Sequence, residues 1–249
     1  MMPSMIKSFF SRDFDYSPLH RILEIVAILS FFALVVVISA RAISGLSVLG
    51  WQTAAWLVPL TAVLGYVGAD FASGFVHWMG DTFGSEETPV LGERFVKPFR
   101  DHHTHPQGIC EHDYVTVNGN NSIVLALYMV PIALFFTDPT QIWQLLVLAF
   151  SVTFTCGVFM TNQFHKWAHM DNPPGYILFL QRYNLILTPT NHDFHHTAPY
   201  DTYYCITCGW LNPVLERLKF FETLENVARS AFGIKTVHDE PDAARKQQA

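Results

Sequence analysis

Three imidazoles, His192, His195 and His196, fall inside the stretch NHDFHHTAP at 191–199. Upstream stand His77 alone, the run His102, His103 and His105 with His112 close behind, and the pair His165 and His169. Neutral imidazole is the commonest side-chain metal ligand and suits Fe, Cu, Zn and Ni, so histidine at this density points to a metal centre. His165 and His169 are four apart, which puts both on one face of a helix. His77 and Asp81 repeat that spacing. The adjacent pairs His102-His103 and His195-His196 point in different directions on a helix, so one member can reach each of two metals, or one can stand behind the other. His77, His102, His103, His112, His165, His169, His192, His195 and His196 are enough donors for two metals with open positions. A lone residue such as His77 reads as readily as a hydrogen-bonding histidine. The clusters at 165–169 and 192–196 do not, because rings so close repel when protonated and compete for few partners. Asp70 is a candidate to orient a ligating ring through its other N–H, or else an acid buried in helix packing. His20 and His238 read as solvated.

The elements that position these groups are apolar. Of 249 residues half are hydrophobic and 14% charged, with a mean hydropathy of +0.22, which is too apolar for an ordinary soluble domain and indicates a membrane protein. Residues 22–40 form a run broken only by Glu24, about the ~20 residues a helix needs to span a bilayer. No small-residue cleavage site follows it, so it reads as an anchor rather than a signal peptide. Further spans are expected at 54–79, 122–136 and 142–160, the last leading without a break into TNQFHKWAHM. The turn at Asp138-Pro139 makes the third and fourth an antiparallel hairpin. Residues 80–121 read as a long loop, of the kind that is uncommon unless functional. Residues 176–187 are apolar but too short to cross, which fits a re-entrant or interfacial helix, and 210–232 have the period of an amphipathic surface helix. The expected organisation is an N-terminal cytosolic segment 1–21, a membrane-embedded domain 22–232 and a charged tail 233–249.

Charge gives the orientation. With four spans and a cytosolic N-terminus, every one of the 15 Lys and Arg residues except Arg41 lies on the cytosolic side, as the positive-inside rule requires. Every histidine cluster then sits at the cytosolic end of a span, in the bacterial inner membrane or the endoplasmic reticulum. The net charge of −6 excludes a nucleic-acid partner, which would need a basic face. Cys205 and Cys208 form a single C-x-x-C that reads as a chance spacing near the membrane surface, and the four cysteines make no disulfide framework.

Six ordered blocks carry a resemblance: DFASGFVHWMGDTFG at 70–84, PFRDHH at 98–103, EHDYVTVNGNN at 111–121, TNQFHKWAH at 161–169, HDFHH at 192–196 and TYYCITCGWLNPVLE at 202–216. Together they resemble the plasmanylethanolamine desaturases of the Kua/CarF lipid-desaturase family, over roughly residues 60–232. The resemblance implies an all-α integral membrane protein with four transmembrane helices and a His-rich di-iron site at the cytosolic face. It implies O2 as co-substrate, an ether phospholipid as substrate, and electrons from cytochrome b5 or a ferredoxin-like carrier and its reductase. The reaction would place the vinyl-ether double bond of a plasmalogen in the 1-O-alkyl chain. The implied ligands are the nine histidines named above, with Asp81 as a catalytic carboxylate at or beside the metals. His105 and Cys208 depart from the family pattern and stay outside the set. Two alternatives remain within the enzyme class, a desaturase of an ester-linked acyl chain and a di-iron lipid hydroxylase. A haem-binding carrier would pair histidines in mid-membrane, and a metal transporter would need polar groups through the depth of the spans.

Overall fold

The structure, a computed structural model, describes residues 17–239. Expectations for 1–16 and 240–249 fall outside that range. Among the described residues the fold is all-helical, with no strand. The long helices are α1 (Pro18–Leu49), α2 (Leu57–Thr82), α4 (Tyr114–Phe135) and α5 (Ile142–Ala168). Each is long and apolar enough to cross a membrane. Shorter helices join and follow them: α3 (Lys97–Thr104), α6 (Gly175–Arg182), α7 (Pro189–His195), α8 (Asn212–Arg217) and α9 (Phe220–Phe232).

Helix α5 is the axis of the bundle and packs against α1, α2 and α4, while α1 also packs along α4. Lipid tails are as apolar as leucine, so spans associate by close packing and internal hydrogen bonds rather than by a hydrophobic drive. Both are visible. A Cβ at Gly157 of α5 would lie 2.5 Å from the Cβ of Ala69 on α2, so only glycine allows the two backbones to approach. The buried hydroxyls Ser122, Thr155 and Thr161 donate to carbonyls one turn back in their own helices at 2.9, 2.7 and 3.0 Å. Tyr128 and Ser151 share a hydrogen bond of 2.9 Å between α4 and α5. The outer faces stay apolar: Leu29, Phe32, Val36 and Ile43 of α1 and Leu127 and Leu134 of α4 are exposed, as lipid-facing side chains must be.

The spans run further than hydropathy indicates. The third starts at Tyr114 rather than 122, because Asp113 caps it by accepting from the Thr116 N–H at 2.9 Å. The polar residues that make 114–121 look like a loop face α5 instead. Asn121 Nδ2 donates to the Val158 carbonyl at 3.1 Å, and Asn162 Nδ2 of α5 returns a bond to Val117 at 3.0 Å. Residues 80–121 are therefore not one long loop: α2 runs on to Thr82, a π-helical turn covers Gly92–Val96, and α3 carries His102 and His103. Phe99 of α3 lies directly over Gly80 of α2, and Arg100 Nη2 donates to the Gly84 carbonyl at 2.7 Å. These contacts fix the rotation of α3.

After α5, the expected interfacial helix 176–187 is helical only over Gly175–Arg182, ending before Asn184 at φ +51°. Tyr176, Leu178 and Phe179 are exposed on it. The expected single helix 210–232 is broken between α8 and α9 at Lys219, φ +50°. The break lets Phe221 and Glu225 of α9 turn onto α2, where Trp78 Nε1 donates to Glu225 at 3.0 Å. Residues 237–239, within the expected charged tail, form a short 3-10 turn. There His238 Nδ1 lies 2.8 Å from Glu225, so it is not a solvated ring.

The close α2–α5 contact yields a test. Gly157→Val pushes a branched side chain against Ala69, an overpacking of about 1–3 kcal/mol. The thermal midpoint in detergent should fall by about 5 °C. An unchanged midpoint would mean that the helices are not held at this distance.

Candidate metal centre

Four segments that are far apart in sequence end at one place. The last turns of α2 bring His77 and Asp81, α3 brings His102 and His103, the end of α5 brings His165 and His169, and α7 with its C-cap brings His192, His195 and His196. Each segment has its own local reason to sit there. Helix α7 starts at Thr188, whose hydroxyl accepts from the Asn191 N–H at 3.2 Å, with Pro189 in its first turn, a favoured start for a helix. Asn191 then bonds Gly209 and Asn212, which ties α7 to the chain leading into α8.

The side chains sort into two groups whose donor atoms all lie within 4.8 Å of one another. One holds His102, His165, His169, His192 and His196; the other holds His77, Asp81, His103 and His195. The adjacent pairs are split, since His102 and His196 join the first group and His103 and His195 the second. His165 and His169 point at one place, with Nε2 atoms 3.3 Å apart. In the first group Nε2 of His169 also lies 2.9 Å from that of His102 and 2.9 Å from that of His192. His196 Nε2 is 3.2 and 3.0 Å from those of His102 and His192. In the second, the His103 and His195 Nε2 atoms are 2.9 Å apart. Asp81 Oδ2 lies 3.3, 3.7 and 3.4 Å from Nε2 of His77, His103 and His195.

A network of ring–ring hydrogen bonds cannot account for this. One imidazole nitrogen carries at most one proton, yet Nε2 of His169 approaches three others. In the second group His77 Nδ1 and His195 Nδ1 donate to the carbonyls of Tyr204 at 3.2 Å and Thr202 at 2.8 Å. With Nδ1 protonated, each Nε2 presents a lone pair. His77 Nε2 and both Asp81 oxygens are buried without a hydrogen-bond partner. A cation satisfies all of these atoms at once. With imidazole nitrogens about 2.0–2.1 Å from a first-row ion, donors at right angles lie about 3 Å apart, which matches the spacing in the first group. The residues present therefore fit metal, and neutral nitrogens with one carboxylate suit Fe, Zn, Cu or Ni.

Electrostatics point the same way. Burial, reinforced by neighbouring rings, pushes His102 and His103 down to about 2 and His169 to about 4. Burial takes His195 to about 3 although the Thr202 carbonyl opposes the shift. His192 and His196 are lowered by the same burial. The rings are thus neutral with lone pairs free for metal. His77, His165, His192 and His195 are buried, whereas His102, His103, His169 and His196 are partly open and mark the accessible edge.

Not every expected residue joins. His112 lies outside both groups with an exposed ring; the turn Gly108–Glu111 ends at it, and its carbonyl accepts from Lys166 Nζ at 2.5 Å. Asp70 orients no ring. It accepts from the backbone N–H groups of Cys208, Gly209 and Leu211 at 2.8, 2.8 and 3.1 Å, so it pins the turn after Tyr204 to α2. The ring-orienting role falls to the Thr202 and Tyr204 carbonyls, which residue type alone does not reveal. Cys205 and Cys208 are both buried, and burial pushes both thiols well up.

Because these rings titrate lower in the fold than the ordinary value near 6.5, the unfolded chain takes up protons first. Stability of the metal-free site is then lost as pH falls from about 6.5 toward the folded-state values of about 4 to 2. In the folded site protons compete for nitrogen only near that lower limit. Bound metal should stay level from about pH 8 to about pH 5, measured as metal content after equilibration. Loss centred near pH 6.5 would mean solvated rings.

Comparison with known proteins agrees with this geometry. Residues 66–239 match the family model of the lipid desaturase domain. The chain is 44% identical to a plasmanylethanolamine desaturase of Myxococcus xanthus, covering 92% of this chain and 80% of that one. It is 36% identical to plasmanylethanolamine desaturase 1 of Mus musculus, covering 93% and 85%. With the chloroplastic fatty acid desaturase 4 of Arabidopsis thaliana it shares 34% identity over 71% of this chain and 53% of that one. No solved structure matches it. A desaturase-domain match that runs from within α2 to the end of the described chain, and takes in both histidine groups, makes this chain a member of the lipid desaturase family.

Proposed function

We propose that the chain is a di-iron desaturase that forms the vinyl ether of plasmalogens from the 1-O-alkyl chain of an ether phospholipid. The observation that carries this reading is the extent of the similarity. The two relatives named for plasmanylethanolamine align with 92 and 93% of the chain, whereas the plant fatty acid desaturase aligns with 71%. That plant relative favours the second reading, desaturation of an ester-linked acyl chain.

Side-chain acids and bases cannot remove hydrogen from an unactivated C–H bond. Two irons with O2 would supply that oxidising power, with two electrons from the lipid and two from a cytochrome b5 or ferredoxin-like carrier and its reductase reducing O2 to two waters. This chain's residues hold and tune the centre. His102, His165, His169, His192 and His196 would hold one iron, and His77, His103, His195 and Asp81 the other. Neutral rings leave the positive charge on the metals high, and Asp81 lowers it at one of them. The carbonyls of Thr202 and Tyr204 keep their rings with Nδ1 protonated, so that Nε2 stays unprotonated toward the metal. Residues 22–232 act as one membrane-embedded unit in this reading.

In cells lacking plasmalogens, expression of the chain should convert plasmanyl to plasmenyl ethanolamine lipids, read as loss of two hydrogens and appearance of acid-labile aldehydes. The purified protein should carry about two irons per chain. His192→Ala should abolish the product. An acid-stable double bond, or change only in ester-linked chains, would favour the acyl reading instead.

The end of the bundle that carries the histidines faces the cytosol in this reading, because among the described Lys and Arg residues Arg41 alone lies toward the other end. A cysteine placed by Glu87→Cys should react with an impermeant reagent only after the cells are opened. Labelling of intact cells from outside would reverse the orientation.

A further inference from the structure

The short segment 200–204 touches every ring of the four-donor group. The Tyr204 carbonyl takes the Nδ1–H of His77, and the Thr202 carbonyl that of His195. His103 has no such anchor. Its Nε2 faces His195, and its Nδ1 makes no hydrogen bond among the described residues. What it has is Tyr200, whose ring stacks on it nearly in parallel, with centroids 4.5 Å apart and planes 6° apart. Near-parallel rings at this centroid distance fit an offset stack, a favoured arrangement for two aromatic rings. It leaves the imidazole free to slide in its plane but not to tilt.

The backbone is bent to bring that ring there. Tyr200 sits at φ +65° and Tyr203 at φ +58°, a region that bulky side chains rarely occupy. Such conformations persist where the surroundings over-determine them, and they concentrate at functional sites. Here the constraints are visible. The Tyr200 N–H donates to the Thr197 carbonyl at 3.1 Å, and the Thr202 hydroxyl donates to Glu216 at 2.6 Å. The Tyr204 ring is buried against His77, His195 and Phe221.

We infer that Tyr200 is a positioning residue for the metal held by His77, Asp81, His103 and His195: its ring, stacked on His103, holds the plane of that imidazole, as backbone carbonyls help to hold the other two. The inference rests on the two-metal reading above and concerns metal holding, not the identity of the lipid. The phenol hydroxyl plays no part. The ring's flat face is the working feature, so Phe replaces it. Glycine keeps the left-handed backbone at no steric cost and removes only the ring.

The test is titration of metal-stripped protein in detergent with Co2+ alone, reading the visible absorption of the bound ion. Asp81→Ala marks which equivalent belongs to the four-donor group. The wild type and Tyr200→Phe should bind two equivalents alike. Tyr200→Gly should weaken the four-donor equivalent by about tenfold or more, the usual effect of losing a group that orients a ligand, and leave the other unchanged. Tyr200→Gly binding both equivalents as the wild type does would overturn the inference. So would Tyr200→Phe behaving like Tyr200→Gly, or Tyr200→Gly weakening both equivalents equally, which would make the segment a general prop of the fold. A wild-type chain that takes up one Co2+ only would overturn the two-metal reading and this inference together. Two equivalents with the Tyr200 pattern, in a chain that forms no vinyl ether, would overturn the substrate assignment alone.

Discussion

Lone pairs without protons to share are the constraint on which this structure depends. Eight imidazoles and one carboxylate converge with Nε2 or carboxylate oxygen turned inward, and several of these atoms are buried with no partner. Burying polar groups unsatisfied costs several kcal/mol in an apolar medium, and ionising the rings instead would place like charges about 3 Å apart in low dielectric. Lowered pKa values close off the second escape. Bound metal would turn the whole set from a liability into a bonded unit, so that metal binding and local folding become one equilibrium.

The fold answers that demand by making helix ends coincide. Helices α2 and α5 can bring His77 and His165 together because Gly157 and Ala69 let their backbones nearly touch. Helix α3 is pressed onto α2 through Phe99 and Gly80, which aims His102 and His103 inward. Asp70 works at one remove. Deep in α2 it holds three backbone N–H groups of the 208–211 turn, and that turn fixes the segment whose carbonyls orient His77 and His195. An ionisable group well inside a span is costly and usually functional; here its function is to anchor backbone.

Sequence made the donors legible and hid most of what holds them. The i, i+4 spacing of His165 and His169, and of His77 and Asp81, translates directly into shared helix faces, and the splitting of adjacent pairs between two donor groups follows from the turn of a helix. The four spans were legible as apolar runs. Their true ends were not, because Asn118, Asn121 and Asn162 are polar residues that bond across a helix pair, and hydropathy scores them as loop. His112 looked like a ligand because it is near the run His102, His103 and His105 in sequence, yet the turn at 108–111 carries its ring outward to solvent. The Thr202 and Tyr204 carbonyls left no trace, since every residue has a carbonyl and only three-dimensional geometry chooses which one faces a ring.

Depth connects this centre to the chemistry of its lipid. His165 lies 23 residues after Ile142, about 35 Å along a helix axis at 1.5 Å per residue. His77 lies 20 residues after Leu57, about 30 Å by the same measure. A bilayer's hydrocarbon core is about 30 Å thick, so helices that start near one edge bring both groups to the other edge, beside the head groups. In the proposed reaction the accessible ring edges would meet the part of a phospholipid nearest its glycerol there. Acting on the middle of a chain would require a channel drawing many methylenes past the metals. Acting on the first carbons beyond the glycerol oxygen requires only lateral approach. The bond that becomes a vinyl ether is the first carbon–carbon bond after that oxygen, so the proposed substrate places its reacting atoms at the depth where the helices end.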